Sequence, residues 1–347
     1  MKHAVSSIAL AGLTACATAG VDYEARLPAG HLAAAEYRDV EVGGFSGPAG
    51  GWYSSRFEGM LASAVLDGRP WFQLVSGPTV KGALSGLYAG RISVDEYDEH
   101  SYEQTTRKCV EWDGLFDCER REDVIETCIE TEVRVSVYPE LIDRRTGEII
   151  FSDRYSGAAS DTDCSEDYYH GYNRWGGFSS APSGLIREAL EDTLTPIRTD
   201  IAPRNARVRA PMVAEAIDPV ARADPRFEQA VKAAKDGDSV LACGLWANLS
   251  IEFPEAPGVL HNSGACAEAF GDYERAQTLY LKAADLTVRY PQTDLQKRVR
   301  QINAALARIS DRRFGETWLE RTDGPSPVAI NGPEEPITLD EAADAGS

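Results

Sequence analysis

The spacing of apolar residues changes twice along the chain, and each change marks a different kind of element. Val40-Glu41-Val42 alternates in the manner of a strand. A glycine-rich stretch, Gly43 to Gly51, follows, and Phe57, Leu61, Ala64 and Val65 then recur at helical spacing until Gly68-Arg69-Pro70 interrupts them. Trp71-Phe72-Gln73-Leu74-Val75 reads as a second strand and Leu87 to Val94 as a third. Val133, Val135 and Val137 alternate with Arg134 and Ser136, as in a half-buried strand. Asp143-Arg144-Arg145-Thr146-Gly147 supplies a turn, and Ile149 to Tyr155 supplies the returning partner. Leu185, Ala189 and Leu190 place a closing helix that should stop before Pro196. These elements predict an α/β domain of sandwich type over 37–212, built on a mixed sheet with antiparallel neighbours. The overall fold class is α+β, because an all-α region follows.

From Ala223 the pattern is helical, and it repeats. Gly237-Asp238 returns as Gly271-Asp272 at a shift of 34 residues. On that shift Ala242, Trp246 and Pro254 fall in the first copy, and Gly264, Ala276, Tyr280 and Ala283 in the second. Small residues let paired helices cross closely, and an aromatic fills the space beyond them. The pattern resembles tetratricopeptide repeats, which implies an array of helical hairpins over 218–311 with a concave face for protein partners. A third copy fails at Arg298, so Asp294 to Ile309 is read as a terminal capping helix. The segment 312–347 is acidic and proline-rich, without hydrophobic period, and is expected to be disordered.

A second resemblance lies in the α/β region. The strand, Gly-containing loop, helix Arg56-Phe57-Glu58-Gly59-Met60-Leu61 and strand Trp71 to Val75 are similar to the N-terminal half of curli-assembly-type lipoprotein domains. Leu141 to Ile150, with Asp143 and Thr146-Gly147-Glu148, is similar to a strand turn of the same family. The resemblance implies a subunit of a secretion or assembly oligomer. One stretch departs from it: Asp95 to Asp123 is charged and Cys-bearing, where family channels contribute hairpins with a lipid-facing apolar alternation. That speaks against pore formation.

The N-terminus sets the compartment. Met1-Lys2-His3 precedes an apolar run from Ala4 to Leu13, far shorter than the roughly 20 residues that span a bilayer. It ends in Leu13-Thr14-Ala15-Cys16, which matches the lipobox of bacterial lipoproteins. Residues 1–15 are thus read as a signal peptide and Cys16 as the lipidated residue. Residues 16–36, small and polar, then read as a tether. Ala17, rather than Asp, favours the outer membrane, with the chain facing the periplasm or the cell surface. The covalent lipid is the only prosthetic group expected.

Composition narrows the partners. Of the 347 residues, 43% are hydrophobic, enough for real cores, and the formal net charge is −20. Such acidity argues against nucleic acid and against direct adhesion to anionic lipid. Setting Cys16 aside leaves Cys109, Cys118, Cys128, Cys164, Cys243 and Cys266, an even number in an oxidising compartment. Cys109 and Cys118 flank a turn and could pair across it, leaving Cys128 and Cys164 together. Cys243 and Cys266 fall on neighbouring repeat helices, where a disulfide and two buried thiols are both open readings. Zinc lacks the ligand spacing it needs, and no metal is expected.

Catalytic chemistry is thin. The loop Gly43 to Gly51 sits between strand and helix, as phosphate loops do, yet has no Gly-Lys-Ser/Thr. Tyr169, His170, Tyr172 and Trp175 lie in an aromatic, glycine-rich loop that would either stack on sugars or a peptide, or be an ordered loop pinned by Cys164. No catalytic residue is assigned and no enzyme is expected. The leading expectation is an envelope scaffold that binds a protein or peptide in its repeat groove. A homo-oligomeric assembly subunit and a glycan- or peptidoglycan-linked binder are the alternatives.

Overall fold

The computed structural model describes residues 19–76, 84–113, 117–165, 182–215, 218–290 and 295–323. In chain order the elements are β1 (Gly20–Leu27), α1 (Leu32–Ala35), β2 (Asp39–Ser46), α2 (Gly50–Ala62), β3 (Val65–Leu66), β4 (Arg69–Pro70), β5 (Gln73–Leu74), β6 (Ser85–Asp113), β7 (Asp117–Asp143), β8 (Ile149–Ser152) and β9 (Tyr155–Ser165). They continue with α3 (Pro182–Ile201), β10 (Arg204–Pro211), α4 (Pro219–Ala223), α5 (Pro225–Asp236), α6 (Ser239–Glu252), α7 (Pro257–Ala269), α8 (Tyr273–Thr287) and α9 (Leu295–Asp323). The fold is mixed α+β. It divides into two compact units, 28–204 and a second that combines the N-terminal strand with everything after 205.

The first unit is built on a mixed sheet of order β5-β2-β6-β7-β8, with β9 on the same edge of β7 as β8. β2 runs parallel to both β5 and β6, whereas β6, β7, β8 and β9 pair antiparallel. Helix α2 packs on β2, and α3 packs on β7 and β9. Phe45, Tyr53, Phe57 and Tyr88 form the aromatic centre between sheet and helix. The Tyr53 hydroxyl, 2.7 Å from Thr193 Oγ1, ties α2 to α3. The turn after β7 is organised by Asp143, whose carboxylate accepts from Arg145 N, Thr146 N and the Tyr37 hydroxyl. The Thr146 backbone N–H first, and Tyr37 next, hold that carboxyl below its usual range.

The sequence expectations need correction at several points here. Helix α2 ends at Ala62, and Val65 belongs to a short strand paired with Arg69–Pro70. The third strand does not end at Val94. β6 runs to Asp113, and the charged stretch from Asp95 is strand, because β7 pairs with it along its whole length. Helix α3 passes through Pro196 to Ile201. Leu185, Ala189, Leu190, Leu194, Ile197 and Ile201 are buried at helical spacing, and burying that continuous stripe outweighs the one backbone hydrogen bond that proline removes.

The second unit is helical with a two-stranded ribbon of β1 and β10. The presumed tether over 16–36 is therefore wrong from residue 20 onward: Gly20–Leu27 is a strand and Leu32–Ala35 a helix. Val21, Tyr23 and Ala25 alternate with Asp22 and Glu24, and the apolar set is buried. That short period was present in the sequence. The boundary expected at 212 also moves, since β10 pairs with β1 and packs with the helices. The disorder expected from 312 is wrong as far as Asp323, because α9 continues to that residue with Trp318 and Leu319 buried.

The repeated turn has a repeated geometry. Gly237 and Gly271 adopt φ of +85° and +76°, a conformation glycine takes without strain. Asp238 and Asp272 then cap α6 and α8, accepting from Leu241 N and Arg275 N respectively. Adjacent helices from α5 to α9 pack pairwise.

Candidate functional site

Three features of the described residues could carry function: a long β-ribbon, the inner side of the helical unit, and a small His–carboxylate cluster. The ribbon is the largest. β6 pairs with β2 only from Ser85 to Arg91, while β6 and β7 remain paired out to Asp113 and Asp117. From Tyr97 outward most of β6 is exposed, as is most of β7 from Asp117 to Ile125, and the ribbon projects about 55 Å at ~3.3 Å per residue. Its two faces are both charged. One carries Glu99, Glu103 and Arg107, and the other carries Asp98, His100 and Lys108. Ion pairs run along it, including Lys108–Glu126, Arg134–Glu132 at 2.7 Å and Arg120–Glu122 at 2.6 Å. At its base Asp95 accepts from Ser136, Ser93 and Arg154, and these bonds hold its carboxyl below the usual range.

Two disulfides fasten this ribbon. Cys109 is joined to Cys118 near the tip, and Cys128 to Cys164 links β7 to β9. Beyond Arg91, β6 has no strand on its outer side among the described residues, and neither has β9. An edge with no neighbouring strand among the described residues is the usual template for pairing with another chain.

The third disulfide, Cys243–Cys266, joins α6 to α7, which removes the alternative of two buried thiols. Maleimide labelling of the denatured chain should leave all six of these cysteines unmodified until a reductant is added. Free thiols in a freshly extracted sample would contradict the pairing. The expected packing residues are all interior: Ala242, Trp246, Ala276, Tyr280 and Ala283 are fully buried, and Gly264 lies against the Tyr280 ring.

The inner side of the helical unit is occupied by the chain itself. β1 packs against the alternate helices α5, α7 and α9. Glu268 on α7, fully buried, accepts from the hydroxyls of Tyr23 at 2.8 Å and Tyr280 at 2.9 Å, and from the Arg308 guanidinium, Nη2 at 2.7 Å. Burial and the neighbouring Glu268 carboxylate push both phenols well above their ordinary range. Asn262 clamps the backbone of Val213 from both sides, donating to its carbonyl at 2.9 Å and accepting from its N–H at 2.8 Å. His261 is buried beside it, with Nε2 3.2 Å from the Pro211 carbonyl. Neither Glu268 nor this clamp was read from sequence. A lone Glu among small residues signals burial only once the helix face is known.

In the first unit His31, Asp153 and Asp200 offer ligand atoms within 4.8 Å of one another. His31 Nε2 lies 3.7 Å from Asp153, and the Tyr155 hydroxyl donates to Asp200 at 2.5 Å. His31 and Asp153 are about half exposed, and an ordinary ion pair accounts for their approach. The glycine-rich loop is a tight turn: side chains at Gly47 and Gly50 would strike the carbonyls of Ile92 and Phe45. Leu13, Thr14, Ala15 and Cys16, and the aromatic loop with Tyr169, His170, Tyr172 and Trp175, lie outside the described residues. No helix among the described residues is long and apolar enough to cross a membrane. In comparisons with protein-family models, curated proteins and solved structures, nothing matches this chain.

Proposed function

We propose that the chain is a non-enzymatic lipoprotein of the bacterial envelope that assembles with further copies through its β-ribbon, the role implied by its resemblance to curli-assembly-type lipoproteins. The observation that carries this reading is the pair of open edges on β6 and β9. Joining the β6 edge of one copy to the β9 edge of the next is a heterologous contact, which generates rings where the rotation closes. Charge on both faces suits a ribbon wall bathed in water. A lipid on Cys16 would hold the helical unit near the bilayer. Three residue-to-residue steps, through Ala17 and Thr18, lead from that cysteine to Ala19, whose carbonyl is already bonded to Met212 N. That is about 10 Å of chain at ~3.5 Å per residue. In-cell cross-linking followed by detergent extraction and sizing should return a discrete, large homo-oligomer. A variant with the ribbon cut back to the Asp98–Glu132 pair and closed by Asn-Gly should run as a monomer. A native chain that is itself monomeric would sink the assembly reading.

One observation favours a second reading, a scaffold with a tetratricopeptide-like array. The Gly-Asp turn recurs at the 34-residue shift with the same φ and the same cap. The inner face is filled by β1, so a partner would meet the outer helices, where Val240, Ile251 and Leu281 are exposed. A hetero-complex lost on replacing these three residues by Ser, with the oligomer unaffected, would favour it.

A further inference from the structure

A narrow cleft in the helical unit opens at the start of α7, between the segment after β10 and α9. Helix α7 begins at Pro257 with Ala256 as its N-cap, and no side chain caps it. Its first-turn N–H groups have no intrahelical acceptor, and Gly258 among them lines the cleft. Two cationic or potentially cationic side chains converge there. The Arg298 side chain is only 11% exposed, and the carboxylate it meets is Glu215 at 3.3 Å, itself 80% exposed. His261, 4% exposed, also lines the cleft, and its buried Nδ1 has no hydrogen-bond partner among the described residues.

We propose that this cleft binds one carboxylate group of an acidic peptide segment, held by Arg298, the first turn of α7 and His261. The positive end of the helix and a largely desolvated guanidinium both favour an anion. Glu215 shows the preferred chemistry, since an exposed carboxylate already rests on Arg298 and is free to swing away. The His261 ring adds a proton requirement. Nε2 faces the Pro211 carbonyl and therefore carries the proton of the neutral ring, leaving Nδ1 bare. When the carboxylate enters, one proton is taken from solvent onto Nδ1 and donated to the ligand oxygen. The other groups facing the ring are Glu268, Tyr280, Arg298 and Arg308. Two sources offer such a segment: another envelope protein, or this chain beyond α9, where Glu334, Glu335, Asp340 and Glu341 cluster.

The test is acetate titrated into the full-length chain labelled with ¹⁵N-histidine, with chloride at equal ionic strength as control. A saturable shift of His261 Nδ1 toward the protonated form is expected. Affinity should rise by up to about tenfold per pH unit on lowering the pH from 7.5 to 5.5. Arg298→Gln should abolish the response, and Glu215→Gln, which removes the internal competitor, should strengthen it. In a chain ending at Asp323, a tighter acetate response identifies the chain's own tail as the resident ligand, and an unchanged response assigns the site to another protein. A shift reproduced by chloride, or an Arg298→Gln chain that titrates like the native one, overturns the proposal and leaves the cleft holding water only. This outcome is independent of whether the ribbon assembles.

Discussion

Replacing Glu268 by Gln should destabilise the helical unit by about 3–5 kcal/mol, the loss typical of breaking a buried charge pair on one side. Glu268 has no exposed surface and stands at the junction of β1, α7, α8 and α9. Glutamine keeps the shape and one acceptor oxygen. It cannot neutralise Arg308, whose side chain is only 20% exposed, and its NH2 group would face that guanidinium. Two phenol donors and a guanidinium would then compete for a single carbonyl. Tyr23→Phe removes just one donor and should cost about 1 kcal/mol. The informative comparison is the double replacement Glu268→Leu with Arg308→Met. It removes both charges, so it should be less damaging than Glu268→Gln alone. Urea unfolding followed on Trp246 and Trp318, both interior to this unit, reads the effect. A Glu268→Gln chain with unchanged midpoint would show that the network adds nothing to stability.

The contrast between what the sequence disclosed and what it hid has a physical basis. Val133, Val135 and Val137 declared their strand because they share one buried, apolar face, while the polar residues between them, exposed Arg134 and buried Ser136, lie on the other. The Gly-Asp turns declared the helix pairs because a left-handed glycine followed by an Asp cap is a local requirement. The ribbon from Asp95 to Asp123 was illegible as strand, since both faces meet water and no alternation is imposed on them. Its regularity comes from cross-strand pairing and two disulfides, which are non-local. β1 was overlooked for the opposite reason: its period is clear, but it is short and lies beside a stretch of small residues. Helix α3 crossed Pro196 because tertiary burial outweighed a local penalty. The candidate anion cleft was least legible of all. Arg298 stood out only as a failed repeat position, yet that departure is what places a guanidinium at the start of α7.

Lowering the pH from 7 to 5 should cost the helical unit about 2 kcal/mol, most of it through His261. Burial first, helped by Arg308 and Arg298, pushes this imidazole down to about 4, against the opposing pull of the Pro211 carbonyl and Glu268. Above its ordinary value near 6.5 the ring is neutral in both folded and unfolded chains, so it contributes no pH dependence there. Below that value the unfolded chain binds a proton that the folded chain refuses. Stability therefore falls as pH drops, by about 1.4 kcal/mol per unit, and levels off near the folded value. Five histidines are present in all, and the described exposed ones, His31 and His100, lack this burial. Urea midpoints measured at half-unit steps between pH 7.5 and 5 should show the slope, and His261→Gln should flatten it while lowering stability at every pH. Saturating acetate acts in the opposite direction on the native chain, because a carboxylate at Nδ1 raises the folded-state value and restores stability at pH 5.5. A slope that survives His261→Gln would assign the acid sensitivity to carboxylate pairs, among which Asp224, held below its usual range by Arg226, is the nearest rival in this unit.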